Sequence, residues 1–282
     1  MSKPAIHLFQ IAYSQQTKEL CAPGFEVLDN LANLRPDWYE YWPMRCFLLN
    51  EALDEEAFYG FFSPKFPLKT SLTADAVRAE VEHLAPQADV VLFSPQPDMA
   101  AFYLNVFEQG DTFDAQLIEV TQRLLKAIGR PAPPLGQLVM DSRQIVFSNY
   151  FVARPAFWRE WLALNEALFG VCEGPPLAED PSLKADLEAS TRYRGGAQRK
   201  VFVMERMASF LLATQPRWRS RAGNPFTTAW SRSRLAQFPN EAAISDALKL
   251  AWRDQRFPQY LQAYFELREQ MRQRLLAMQQ AA

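Results

Sequence analysis

Two lysines, Lys65 and Lys69, stand four residues apart in the stretch YGFFSPKFPLKT, which runs from Tyr59 to Thr70. The aromatic residues Phe58, Tyr59, Phe61 and Phe62 favour a pleated, half-buried strand. Ser63-Pro64 and Phe66-Pro67 then stop it, because proline lacks an amide donor and steers the preceding residue away from helix. Both ammonium groups are thus delivered at the mouth of a strand on a stiff loop. There they suit a phosphate group, with plain solvation as the alternative. Acids with chemistry in reach are few. Asp98, in SPQPDM, is the first choice for a general base, and Asp111, in NVFEQGD with Asn105 and Glu108, is the second. Glu205 and Arg206 interrupt the apolar FVMERMASFLL, where charge is costly unless paired or used. An ion pair tying that helix to the sheet and a role in the site both fit Glu205. Asn30, Trp38, Glu40 and Arg45 crowd into DNLANLRPDWYEYWPMR. Aromatic faces beside amides and carboxylates can hold a sugar, although most of these aromatics equally suit a core.

The elements that must position these residues alternate in period. Ala5–Tyr13 and Ala88–Phe93 read as strands, and Gln144–Val152 is a further strand candidate. Leu72–Leu84 reads as a helix capped by Thr73, with Val77, Val81 and Leu84 on one face. Phe113 to Ile128 forms another, ended by Gly129 and the proline-rich turn Pro131–Pro134. Pro155 opens a helix at its favoured first position and Gly170 closes it. Val201–Ala213 is a strongly apolar helix, and Phe257–Met278 a long amphipathic one. Strands alternating with helices predict an α/β fold with a mostly parallel sheet and a helical C-terminal part. The division expected is an α/β domain over 1–215 and a basic loop with a helical extension over 216–282. Open sheets of this kind bind ligands at the carboxyl ends of the strands. That rule marks Gln10 and Tyr13, the stretch Ser63 to Lys69, the stretch Ser94 to Asp98, and Asn149 and Tyr150 as strand-end residues, which adds Gln10, Tyr13 and Asn149 to the candidates beside Lys65, Lys69 and Asp98.

Composition narrows the chemistry. The chain has 282 residues, 49% hydrophobic and 22% charged, with 21 Phe and 7 Trp, enough for a sizeable core. No apolar run approaches the ~18–20 residues of a transmembrane helix. The N-terminal MSKPAIHLFQIAY does not resemble a signal peptide. The three cysteines lack CxxC spacing and suit free thiols in a reducing cytoplasm. With only two histidines, a zinc site or histidine-driven triad has little to be built from. No Gly-x-x-x-x-Gly-Lys loop is present, which disfavours a nucleotidyl- or phosphotransferase.

Charge is unevenly spread. Between Ser190 and Asn240 stand ten Lys or Arg and one acid, Glu205, in a chain of net charge −2. The segment includes RWRSRAGNPFTTAWSRSR, whose turn residues and weak periodicity predict a loop ordered by what it binds. Arginine suits phosphate because its planar fork donates two parallel hydrogen bonds. The alternatives are a solubilising or membrane-surface loop, with Trp218 and Trp230 against headgroups, and a non-catalytic binding module whose basic 190–240 region grips an anionic polymer or a membrane surface. No helix-turn-helix, RRM or zinc-knuckle pattern accompanies the charge, so nucleic acid is not an expected partner.

The succession IHLFQIAY, LDN, WYEYWPMR, YGFFSPKFPLKT, DVVLFSPQPD, NVFEQGD, FSNYFVARPAFWREW and VFVMERMASFLL resembles a little-characterised bacterial family. Its members are encoded among surface-polysaccharide genes and labelled glycosyltransferase-like. The resemblance covers roughly residues 5 to 215. It implies a Rossmann-like, GT-A-like nucleotide-sugar transferase acting on a saccharide or lipid-linked acceptor in the cytoplasm, with peripheral membrane contact compatible. Transferases of that fold commonly hold Mn2+ or Mg2+ through an Asp-x-Asp pair, which this chain lacks. Lys65 and Lys69, helped by Arg206, would then stabilise the departing diphosphate without metal. Asp98 or Asp111 would serve as base, and Asn30, Asn105 and Asn149 would position hydroxyls.

Overall fold

The first strand, β1 (Ile6–Ala12), sends alternate side chains to opposite faces, and both faces are apolar. Phe9 and Ile11 enter one core, while Ile6 and Leu8 enter the other. A strand buried on both faces belongs inside a sheet covered by helices on each side. The computed structural model describes residues 3–130, 132–193 and 195–280. Met1 and Ser2 of the N-terminal stretch, Pro131 of the proline-rich turn and Arg194 of the basic segment lie outside them.

From β1 the chain passes through α1 (Gln15–Glu19), β2 (Glu26–Asp29), α2 (Tyr41–Asn50), β3 (Phe58–Phe62), α3 (Phe66–Thr70), α4 (Ala74–Leu84) and β4 (Val90–Leu92). It continues with α5 (Pro97–Phe102), α6 (Val106–Phe113), α7 (Leu117–Ala127), β5 (Phe151–Ala153), α8 (Pro155–Glu173), α9 (Leu183–Glu188) and α10 (Arg199–Thr214). It closes with β6 (Ser220–Ala222), α11 (Pro239–Gln255) and α12 (Pro258–Gln280). The strands form one sheet in the order β2-β1-β3-β5-β4-β6, parallel except for β5. The result is a mixed α/β fold of the Rossmann-like kind, with a mostly parallel sheet flanked by helices. The larger core, on the face of Phe9 and Phe61, takes in α2, α7, α8 and α10. The smaller one, on the face of Leu8 and Phe62, is closed by α4 and by Phe66. Gly60 lies where a Cβ would come within 2.8 Å of Val152 Cγ2, so the β3–β5 pairing depends on a bare backbone there.

Several expectations shift in physical detail. Thr73 caps α4 as expected, accepting from the Ala76 amide. Phe66-Pro67 does not hold a loop open. It starts α3, because a proline in the first turn removes an amide that has no helical partner anyway. Residues 144–150 are not strand. The Gln144 side-chain amide donates to the Leu212 carbonyl, the Val146 backbone amide to Ser209 Oγ, and Ser148 and Asn149 are left-handed, at φ 59° and 54°. Helix α8 runs past Gly170 and ends before Gly174. The basic stretch after 215 is ordered within the chain, supplying edge strand β6 and then α11, which begins at Pro239. Helix α11 packs on α5, with the buried Lys249 ammonium donating to the Ala100 and Tyr103 carbonyls. Helix α12 is tied to α6 by the Arg268–Glu108 ion pair.

Candidate functional site

In this strand order the chain leaves β1 for β2 on one side and returns to β3 on the other. The carboxyl ends of β1 and β3 therefore flank a switch point, where open α/β sheets place their ligands. Tyr13, directly after β1, is 41% exposed there. Ser63, directly after β3, shares a 2.6 Å hydrogen bond with the Tyr150 hydroxyl. The buried Tyr150 has its pKa raised, first by burial, with the Ser63 hydrogen bond opposing. Lys69, in the last turn of α3, donates to Ser148 Oγ at 2.8 Å and lies 5.5 Å from the centre of the Tyr150 ring.

Helix α10 brings the acid. Glu205 has no hydrogen-bond or ion-pair partner among the described residues, and its carboxyl is pushed up to about 7. Burial is the main cause; Arg206 and Lys69 oppose it, while the like charge of Glu40 adds to it. The residue nevertheless keeps partial access to solvent. Glu40, at the start of α2, also acts on Tyr150 together with Glu205 and Tyr13, so these groups share one electrostatic neighbourhood. Preceding Glu40, Tyr39 holds φ 47° and ψ −130°, a conformation that costs a non-glycine residue energy. Asn149, only 2% exposed, is the second unsatisfied group. Its amide nitrogen reaches Met204 Sδ at 3.4 Å, and its Oδ1 has no partner. Left-handed non-glycine residues, an unpaired carboxyl and an orphaned amide oxygen thus converge on one strand edge. Such departures from local comfort concentrate at sites of function.

Of the residues singled out from sequence, Tyr13, Glu40, Lys69, Asn149 and Glu205 come together here. Lys65 precedes α3 and is exposed on the rim. Asn30, just past β2, donates from its side chain to Asn33 at 3.4 Å and from its backbone amide to the Ala12 carbonyl at 2.8 Å. The others hold the fold. Gln10 is buried and binds the Ala22 amide at 2.7 Å, on the face turned to α4. Asp98 is fully buried and accepts from the Ser231 amide at 3.0 Å and from the Ser231 hydroxyl, so it anchors a loop and has no path to a substrate proton. Asp111 accepts from the Ile118 amide at 3.1 Å. Asn105 caps α6 and, through its amide, binds the Leu135 and Leu138 carbonyls. Trp38 is buried, donating to Glu173 at 2.9 Å, and Arg45 forms a fork with Glu166 at 2.6 and 2.8 Å. Arg206 turns from Glu205 to the Val106 and Phe202 carbonyls and Gln109. Of the two readings of Glu205, the ion pair is therefore not formed among the described residues.

Much of the basic segment is likewise spent inside the chain. Arg199 pairs with Asp114, Lys200 with Asp37, Arg217 with Glu160 and Arg219 with Asp89. Ser63 and Tyr150 stand at strand ends that the sequence already marked, although without an assigned role; Ser148 was missed, and its place just before β5 was the available signal. Among the described residues no three metal-ligating side chains converge, so the residues present do not fit a divalent cation of the Asp-x-Asp kind. Comparison of the chain with family models, with curated proteins and with solved structures gave no match.

Proposed function

We propose that the β1/β3 edge is the active site of a GT-A-like glycosyltransferase that moves a sugar from a nucleotide-sugar donor to an acceptor hydroxyl. The observation that carries this reading is Glu205, which has no hydrogen-bond or ion-pair partner among the described residues and whose carboxyl is pushed up to about 7 by burial. A general base works best with a pKa close to the operating pH. In the transfer, the acceptor oxygen attacks the anomeric carbon while the bond from that carbon to the diphosphate breaks. The hydroxyl proton passes to Glu205, and the nucleoside diphosphate leaves with the bonding electrons. Lys69, with Lys65 on the rim, is placed to meet that developing charge. Asn149 Oδ1 offers an acceptor to a sugar hydroxyl, which a buried orphaned oxygen needs. Glu40 keeps the Glu205 carboxyl protonated to higher pH, and Tyr13 offers an aromatic face at the mouth. The role first given to Asp98 thus passes to Glu205.

The test is the thermal midpoint of the protein against a panel of nucleotide sugars and free nucleotides, with and without chelator. A ligand that binds only the folded state raises stability by RT ln(1 + [L]/Kd). A rise with one nucleotide family is expected, retained by Glu205→Gln while transfer is lost. No rise with any nucleotide, or full turnover by Glu205→Gln, would overturn the assignment.

A further inference from the structure

The segments that follow β1, β2 and β3, helix α3 among them, surround the site, and they expose apolar side chains that the fold does not use. Leu68 is 79% exposed and Leu34 is 73% exposed, the two most exposed large apolar residues among those described. Tyr13, Leu31 and Tyr39 stand out from the same segments. Exposed leucines are unremarkable when scattered, but here they crowd a single edge of the sheet.

Cations lie beside them. Arg232 and Arg234 are exposed, and neither takes part in an ion pair among the described residues. Their loop is held against this edge by three contacts. The Ala229 amide donates to the Lys69 carbonyl at 3.1 Å, the Gln96 amide donates to the Ala229 carbonyl at 2.8 Å, and Ser231 is fixed on buried Asp98. Lys65 stands exposed on the same rim, also outside any ion pair. The loop leading into β3, at the other ends of the strands, exposes Glu51, Asp54, Glu55 and Glu56, of which Glu55 pairs with Arg159 at 2.6 Å and Glu56 lies 3.9 Å from Arg154. The acids on the site side are either paired, as Asp29 with Lys18 and Asp37 with Lys200, or belong to the site, as Glu40 and Glu205 do. The site side thus carries exposed leucines beside arginines and a lysine that take part in no ion pair among the described residues.

We propose that this edge docks on an anionic lipid bilayer, Leu34 and Leu68 entering the headgroup layer while Arg232 and Arg234 contact lipid phosphates. Exposed apolar side chains interleaved with cations bind by burial and by attraction to the negative surface, and neither contribution suffices alone. Docking through these residues turns the mouth of the site towards the lipid. The docking rests on these exposed residues and not on the reaction assigned to the site.

The test is flotation of the full chain with phosphatidylglycerol–phosphatidylcholine vesicles, with phosphatidylcholine vesicles and heparin as controls. Binding to the anionic vesicles is expected, falling with added salt and at least about tenfold weaker on phosphatidylcholine alone. Arg232→Gln with Arg234→Gln should weaken it about twenty-fivefold, at roughly fivefold per charge. Leu34→Ser with Leu68→Ser should weaken it about tenfold. Both pairs are exposed, so an unchanged thermal midpoint confirms folding in each variant. Three results would overturn the proposal: no binding to anionic vesicles, binding unaffected by the leucine pair, or retention on heparin without retention on vesicles. The last would identify a soluble polyanion as the occupant. The nucleotide-induced thermal shift is measured separately, so failure of docking and failure of the transferase reading are distinguishable.

Discussion

Replacing Glu205 by glutamine keeps the shape of the side chain and removes a charge that burial disfavours. In the folded chain this carboxyl is raised to about 7 from an ordinary 4.5. A group with a raised folded pKa holds its proton more tightly in the folded than in the unfolded chain. Its contribution is therefore intact at low pH, erodes as pH climbs above the unfolded value, and is fully lost beyond the folded one. At roughly 1.4 kcal/mol per pH unit, the gap sets a ceiling of about 3 kcal/mol. Partial solvent access and local relaxation lower the expected figure to about 1–3 kcal/mol. Glu205→Gln should accordingly match the native chain near pH ~4.5 and exceed it at about pH 8.5, by about 2–6 °C in Tm for a chain of this size. Thermal and urea unfolding of both proteins across that pH range measure the difference. A stabilised variant that has lost transfer is the pattern of a functional group held against the interest of the fold. If Glu205→Gln were instead less stable at high pH, or if the two proteins ran parallel at every pH, Glu205 would be a paired structural acid and the base assignment would fall.

Three further outcomes follow from named contacts. Lys65→Ala with Lys69→Ala should abolish the nucleotide-induced thermal shift while moving the unliganded midpoint little, since Lys65 is exposed and Lys69 donates only to Ser148; a full shift in the double variant would remove the phosphate role. Asp98→Ala should cost about 2–4 kcal/mol and raise amide exchange over residues 229–234, because the Ser231 amide loses its buried acceptor; an intact loop with lost turnover would restore Asp98 to catalysis. Gly60→Ala should cost about 1–3 kcal/mol in urea unfolding, as the new methyl group would press on Val152 and Phe62 in the middle of the sheet.

Periodicity and proline placement sufficed for β1, β3, α4, α10 and α12, and for the α/β class. These depend on neighbours in sequence: alternation, a Thr73 cap, a proline in a first turn. The same local signals placed Tyr13 and Lys69 at strand ends. Helix α11 was not legible, because its buried face carries Ser245, Asp246 and Lys249 and so hides the apolar repeat. Helix α6 was overlooked for a related reason. Asn105 and Glu108 read as site residues, whereas they satisfy the amides at the start of that helix.

Which acid is free was decided only by the tertiary structure. Asp98 and Glu205 look alike as isolated carboxylates in apolar surroundings, and the sequence favoured Asp98. The residue that occupies Asp98, Ser231, comes from 133 positions further along the chain. Arg206, the obvious partner for Glu205, is drawn instead onto α6, where Gly110 leaves the space its guanidinium fills; a Cβ there would lie 2.5 Å from Arg206. The sequence by itself determined that charged and hydrogen-bonding groups would gather at the carboxyl ends of a parallel sheet, because strand direction and alternation are local properties. It could not determine which of them would remain unsatisfied. A buried carboxylate is neutralised by whatever donors the folded chain carries to it, and those arrive from segments remote in sequence.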